Sequence, residues 1–282
     1  MIFNILDIFQ FRFMIYAIIA TILLSISSSF SGNYLMHRKM SFLSPGIAHA
    51  AFAGVALAFL LNVNPYLIAV MFALLVVIFI QFIKEKADIH YDISIGIVFT
   101  FEMALAIVFI SLMQDYRPEL YTFLFGNVLT VTASDLIGIA VVSVLVISLF
   151  VLFYRYFAMI IFDEEIARNE GINVRLFNNI FLILIALNIV FSIKAVGTIL
   201  IFAYLLIPPT IAYQMTHDLK KMILLTMVIS IIASIVGFVF SFMFNIPSGS
   251  TVVITMTAML FLAMIFFKKR TVCKEKITKK IF

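Results

Sequence analysis

The sequence predicts an all-α, polytopic membrane protein, and three observations carry that prediction. Apolar residues make up 65% of the 282 positions. Charged residues make up only 12%, about half the share of an ordinary soluble domain. The apolar residues also fall in runs long enough to cross a bilayer, whose hydrocarbon core of about 30 Å takes about 20 helical residues. A membrane β-barrel would show short alternating segments instead. No stretch is polar enough to stand as a separate soluble domain, so residues 1–282 read as one transmembrane domain.

The first span, 13–33, carries Thr21, Ser25, Ser28 and Gly32 at intervals of four, three and four, which places them on one helix face. Small and hydroxyl residues so arranged favour close helix packing in a membrane, ahead of the reading in which they wall a hydrated pathway. The second span, 44–61, opens on Pro45 and Gly46, and the third, 65–83, ends before Lys84 and Lys86. The fourth, 92–113, and the fifth, 134–157, are entered at Asp92 and Asp135, residues suited to helix N-termini. The sixth and seventh, 174–193 and 196–214, nearly touch across Lys194 and Ala195. Pro208 and Pro209 delete backbone donors near the end of the seventh and are expected to bend it. A packing kink and a broken helix lining a pathway both stay open as readings. The eighth and ninth, 222–244 and 250–267, are joined by the turn Ile246-Pro247-Ser248-Gly249-Ser250. Segment 119–131 is too short to cross and reads as re-entrant or interfacial. The opening residues lack a basic region and a small-residue cleavage site, so the first span is expected to stay in the membrane.

Charge sets the orientation. The net charge of +5 would suit a nucleic-acid partner, but seven basic residues sit in the tail 268–282 and most others flank spans. That distribution argues for orientation and anionic lipid contact, with no nucleic acid. With loop 155–175 in the cytoplasm, sixteen basic residues collect on that side, against three outside: Arg12, Arg117 and Lys194. The N-terminus then lies outside and the C-terminus inside. Changing the count by one span reverses part of this pattern, which makes nine the preferred number within a range of eight to ten. The single cysteine, Cys273, lies in the tail, has no internal disulfide partner and suits a reducing compartment.

Few residues could carry chemistry. His49 is the one histidine inside a span, with Pro45, Gly46, Phe52, Ala53 and Ala56 leaving room beside the imidazole. Imidazole binds zinc, iron or manganese and carries protons; the plain alternative is a ring bonded to a neighbouring helix. Glu102 is the one carboxylate well inside a span. An unpaired mid-span carboxylate costs about 2–4 kcal/mol, so Glu102 reads as a metal ligand, a proton site or the partner of a polar side chain. First-row metals take four to six ligands, so His49 and Glu102 alone would need carbonyls, water or a second subunit beside them. The H-E-x-x-H, G-x-S-x-G and G-x-x-x-x-G-K-[ST] patterns are all absent. Uphill transport would draw on a gradient or on another polypeptide.

One short charged segment, 161–171, holds four of the fourteen acidic residues, Asp163, Glu164, Glu165 and Glu170, and ends on Gly171. It reads as a small surface helix between membrane spans, placed to meet a partner on one side of the bilayer.

Four stretches resemble one known family, the permease subunits of metal-ion ABC importers of the zinc, manganese and iron class. They are Ser44-Pro45-Gly46-Ile47-Ala48-His49-Ala50 running on to Ala58, Asp92-Ile93-Ser94-Ile95-Gly96-Ile97-Val98-Phe99, Phe162 to Gly171, and Ala195-Val196-Gly197-Thr198-Ile199-Leu200 with Leu205-Leu206-Ile207-Pro208-Pro209-Thr210. Leu124-Phe125-Gly126-Asn127 and Pro247-Ser248-Gly249 agree as well. The resemblance implies a dimer with a central pathway, in the cell inner or plasma membrane. Two separate ABC ATPase subunits would sit below it and an external metal-binding solute-binding protein would deliver the ion. The chain itself would be no enzyme and hold no cofactor. Segment 161–171 would be the coupling helix that docks on the ATPase through Phe162, Asp163, Glu164, Glu165, Ala167 and Gly171, with Ile166 adding apolar contact. In one respect the chain departs from the family: many members carry an aspartate four residues before the histidine, where this chain has Pro45.

Two other function classes compete. A gradient-driven secondary transporter would need no coupling helix and would rest on proton chemistry at Glu102 and His49. An intramembrane enzyme would need a convergent set of nucleophile, base or ligands, which the sequence lacks.

Overall fold

The computed structural model describes residues 12–113, 131–244 and 246–267, with residue 120 alone between the first two stretches. The segment 119–131, the turn at residues 124–127 and the tail 268–282 thus lie wholly or almost wholly outside the described residues. All described regular structure is helical: α1 (Arg12–His37), α2 (Leu43–Leu61), α3 (Pro65–Ala87), α4 (Tyr91–Ser111), α5 (Ala133–Leu152), α6 (Tyr154–Phe162), α7 (Glu164–Asn169), α8 (Val174–Met215), α9 (Leu219–Phe244) and α10 (Ser248–Phe266). Among the described residues nine segments are long and apolar enough to span a bilayer, two of them within α8. The nine-span, all-α prediction therefore holds, with ends shifted by a few residues.

The local chemistry at the helix ends accounts for those shifts. Asn64 accepts a hydrogen bond from the Tyr66 amide at 2.9 Å and Pro65 opens α3, where a missing N–H costs nothing. At the start of α5, Thr132 is the cap and Asp135 its reciprocal partner. Asp92 lies in the first turn of α4, where the helix dipole favours it. Two elements differ from the sequence reading. The fifth span stops at Leu152 because Phe153 (φ −97°, ψ 20°) leaves helical geometry, and Tyr154–Phe162 forms a helix of its own. Its apolar positions Phe157, Ile160 and Ile161 are buried while Arg155 and Tyr156 face outward, the two-faced pattern of a helix at an interface. The sixth and seventh spans run on as α8, broken at Gly197, whose φ of 80° and ψ of 164° suit a residue without a side chain.

Pro208 and Pro209 leave the helix unbroken. Their cost appears in the packing. Pro209 has no N–H to give the Leu205 carbonyl one turn before it. Gly32 of α1 closes on that same carbonyl: a Cβ at Gly32 would stand 2.6 Å from Leu205 O and 2.8 Å from Pro209 Cγ. The face that holds Thr21, Ser25, Ser28 and Gly32 is buried within the bundle. Ser27 donates across to Asn188 Oδ1 at 2.9 Å, and Asn33 to Thr226 Oγ1 at 3.0 Å. The first helix is thus a central post, packed on α8, α5 and α9, while α2 is gripped by α3, α4 and α8.

Gly32→Ala should therefore destabilise the bundle by about 1–3 kcal/mol, the usual range for overpacking. Gly96→Ala, where nothing lies within 4 Å of the added carbon, should be neutral or stabilising, since alanine is the better helix former. Thermal unfolding of the two variants in detergent checks the contrast.

Candidate functional site

Two places carry the predicted functional residues. The first lies inside the membrane, between α2 and α4. Those helices run in the same direction: a Cβ at Gly46 would meet Ile95 Cγ2 at 3.1 Å, and the His49 ring packs edge-on against Phe99 with centroids 4.8 Å apart. His49 is half-buried, and its Nδ1 lies 2.7 Å from the Pro45 carbonyl oxygen. A carbonyl can only accept, so Nδ1 carries the proton and Nε2 keeps its lone pair for a proton or a metal ion. Pro45 thus does a job the sequence did not reveal. It supplies no carboxylate, but its carbonyl fixes the tautomer of the imidazole one turn later.

Glu102 stands three residues beyond Phe99 on α4, about 4.5 Å further along the helix. It is 2% exposed, on the stripe Ile95, Val98, Glu102 and Ala106 that α4 turns into the protein. Neither carboxylate oxygen has a hydrogen-bond partner among the described residues. A buried carboxyl without a partner is expensive, so the reading in which Glu102 serves a polar side chain of another helix loses its support. His49 and Glu102 thus share one helix pair, a turn apart, with no direct bond between them. Among the described residues no group of three or more His, Cys, Asp or Glu side chains gathers as a metal cage.

The second place is the charged segment between α6 and α8. Asp163 caps α7, its Oδ1 accepting from the amides of Glu165 at 2.9 Å and Ile166 at 3.0 Å. Gly171 ends the turn with φ of +79°, the left-handed geometry that glycine takes at helix C-termini. Ala167 is fully buried, and Asp163, Glu165 and Gly171 are exposed. Phe162 and Ile166 are 68% and 57% exposed, an apolar pair on a highly charged segment. Glu164 turns the other way. It binds Arg38 at the end of α1 at 2.8 Å and Arg168 at 2.7 Å. Burial alone would raise the Glu164 pKa, but hydrogen bonds and charge from Arg38, then Arg168, outweigh it and hold the carboxyl below its ordinary value.

The segment stands on a firm base that sequence reasoning missed. Phe157 of α6 stacks on Tyr34 of α1 and meets Phe150 and Phe181 edge-on, with centroids 5.8, 5.0 and 5.7 Å apart. Such aromatic contacts add to the stabilisation from burial alone. The signal for it was the change after Leu152 from pure aliphatic sequence to Tyr154-Arg155-Tyr156, chemistry that belongs at a membrane surface. Arg38 was counted for orientation alone, and its bond to Glu164, far along the chain, had no sequence signal.

With this geometry in place, the chain can be set beside known proteins. Residues 10–267 match the ABC 3 transport family. The chain belongs to that family. It is 35% identical over 261 residues to the manganese transport system membrane protein MntC of Listeria innocua, covering 93% of each chain. It is 30% identical over 261 residues to the high-affinity zinc uptake system membrane protein ZnuB of Haemophilus influenzae, covering 93% of this chain and 100% of that one. In the structure of PsaBC from Streptococcus pneumoniae in complex with Fab, one chain superimposes with a TM-score of 0.83 at 31% identity, covering 97% of this chain and 100% of that one. The resemblance drawn from Ser44–Ala58, Asp92–Phe99, Phe162–Gly171 and Ala195–Thr210 is thereby shown, and the ABC 3 member is a multi-pass protein of the cell membrane.

The sign of the Glu164 shift makes a pH prediction. A depressed carboxyl contributes its stabilisation fully above the ordinary value of 4.5 and loses it as pH falls through the lower folded value. A fluorophore at Glu165→Cys should report an unchanged, restricted segment from neutral pH down to about 4.5 and rising mobility only below it. In an Arg38→Gln background the segment should already be more mobile at neutral pH and should lose most of this acid dependence.

Proposed function

We propose that this chain is the membrane permease of an ATP-driven importer for a divalent metal ion, with manganese the first cargo to test. It would work as a dimer with two separate ATPase subunits and an external metal-binding protein. Identity of 35% across 93% of a manganese permease supports the choice of cargo; the zinc relative keeps zinc within the same class. The observation that carries the mechanism is the exposed pair of Phe162, the last residue of α6, and Ile166 of α7, the helix capped by Asp163 and anchored by buried Ala167. Exposed apolar side chains beside acidic ones, on a rigid base at the cytoplasmic end of the bundle, suit a groove on a partner protein. Asp163, Glu165 and Gly171 complete that surface: two carboxylates for basic residues of the partner, and a turn that sends the chain back into α8.

Within the membrane, His49 Nε2 and the Glu102 carboxyl are the groups this chain offers to an ion, a turn apart on facing helices. With Pro45 in place of an acidic residue, the site is weaker in charge, and the remaining ligands would be carbonyls, water or the second copy. ATP-driven closure of the ATPases would push on α7 and α6 and so shift the helices around the ion. The gradient-driven alternative receives no support from a charged helix with an apolar outer face, which would then have no work to do.

Reconstituted with its ATPase partner, the protein should take up radiolabelled manganese only with ATP, and vanadate should abolish uptake. His49→Ala and Glu102→Gln should each lower uptake by about tenfold or more, the loss of a metal-site group, with unchanged amounts of folded protein. Replacing Glu165 by Arg or Gly171 by Val should leave the spans folded and uncouple ATP hydrolysis from uptake. ATP-independent uptake driven by an imposed proton gradient would favour the secondary transporter, and normal uptake in the Glu165 and Gly171 variants would remove the coupling role.

A further inference from the structure

The cytoplasmic layer contains a polar chain that the importer reading leaves unused. Arg38 retains 12% of its side-chain exposure and grips Glu164 of α7 at 2.8 Å. Its backbone N–H donates to the Tyr34 carbonyl at 3.0 Å, which fixes it one turn beyond that ring. Tyr34, one turn before it on α1, is fully buried and donates to Asn178 Oδ1 of α8. The Asn178 amide in turn donates to the Tyr91 hydroxyl at 2.8 Å. Tyr91 is the first residue of α4, and Lys84 from α3 covers its ring at 5.0 Å from the centroid. Beyond Tyr91, α4 runs through Phe99, which touches His49, to Glu102.

We infer that Arg38 is a positioning residue that ties the coupling segment to the start of α4, so that displacement of α7 is delivered to the helix facing His49. The physical grounds are those of any buried polar chain. A guanidinium this enclosed has few alternative partners, and removing one member leaves the rest unsatisfied. The path joins α7, α1, α8 and α4 through the Glu164–Arg38 ion pair and the Tyr34–Asn178–Tyr91 hydrogen bonds, and α4 is a continuous helix from Tyr91 to Glu102, about 16 Å along its axis. The aromatic base beneath α6 fixes where the segment sits, while the Arg38 chain fixes which span follows it. This inference rests on α7 being the coupling helix.

The test uses the full permease with its ATPase partner in proteoliposomes, read as manganese ions imported per ATP hydrolysed, with ATPase association measured by copurification. Arg38→Gln and Tyr91→Phe should keep the ATPase bound and hydrolysing while imported ions per ATP fall by about tenfold, within the range of coupling between contacting groups. Arg38→Glu and Glu164→Arg should each fail, and the double reversal should recover most of the ratio, a rescue that a loss of packing would not give. Should Arg38→Gln fail to fold, Tyr91→Phe and the double reversal still decide the matter. Wild-type ions per ATP in Tyr91→Phe, or no recovery in the double reversal, would overturn the inference. Phe162→Ala separates it from the reading beneath it. Uncoupling by Phe162→Ala with normal coupling in the Tyr91 and Arg38 variants leaves the coupling helix standing and removes the relay. Wild-type protein that neither binds the ATPase nor needs ATP removes both.

Discussion

In hydrocarbon every backbone donor and acceptor must find its partner within the protein. That constraint makes the chain helical throughout its described length and decides where departures are tolerated. The break at Gly197 lies two residues into the seventh span, beside its junction with the sixth. The carbonyl that Pro209 leaves without a donor is covered by Gly32 of α1 instead of facing lipid. Close approach at Gly32 in turn fixes α1 as the central post, and the post places Tyr34 and Arg38 against α6 and α7.

The same constraint gives meaning to the groups that violate it. Buried polar atoms of α1 mostly bond their own helix or a neighbour, as Thr21 does to Ala17 O at 2.9 Å and Ser25 to Thr21 O at 2.7 Å. Glu102 does neither. Its carboxyl is enclosed by protein, not lipid, and shares a helix pair with an imidazole whose Nε2 is left free to bind by the Pro45 carbonyl. A fold that stabilised α4 alone would place an apolar side chain at this position, so the cost at Glu102 suits a functional group.

Much of this was legible in the sequence, and the boundary of legibility has physical causes. The nine spans follow from apolar run length. The surface helix in 161–171 showed itself because a charged run between two spans cannot enter the bilayer and must meet water or a protein at its surface. The end of the fifth span did not, since Phe153 and Phe157 are as hydrophobic as anything inside the bilayer. Hydropathy cannot see a change of backbone angle at Phe153. The two prolines stay inside the helix, and the close neighbour they meet on α1, Gly32, had no sequence signal. The ion pair that Glu164 makes with the bundle was not legible for a similar reason. The guanidinium that binds it comes from the end of α1, more than a hundred residues earlier in the chain. Tertiary ion pairs of that kind leave no periodicity.

The proposed coupling rests on one contact, that of the Phe162 and Ile166 face with the ATPase at the cytoplasmic surface. A photo-activated phenylalanine analogue at position 162, irradiated in the assembled complex in membranes, reads that contact without an intermediate step. A covalent adduct with the ATPase subunit is the expected product. Adducts confined to lipid or to an extracellular protein, with the ATPase present and unlabelled, would contradict it.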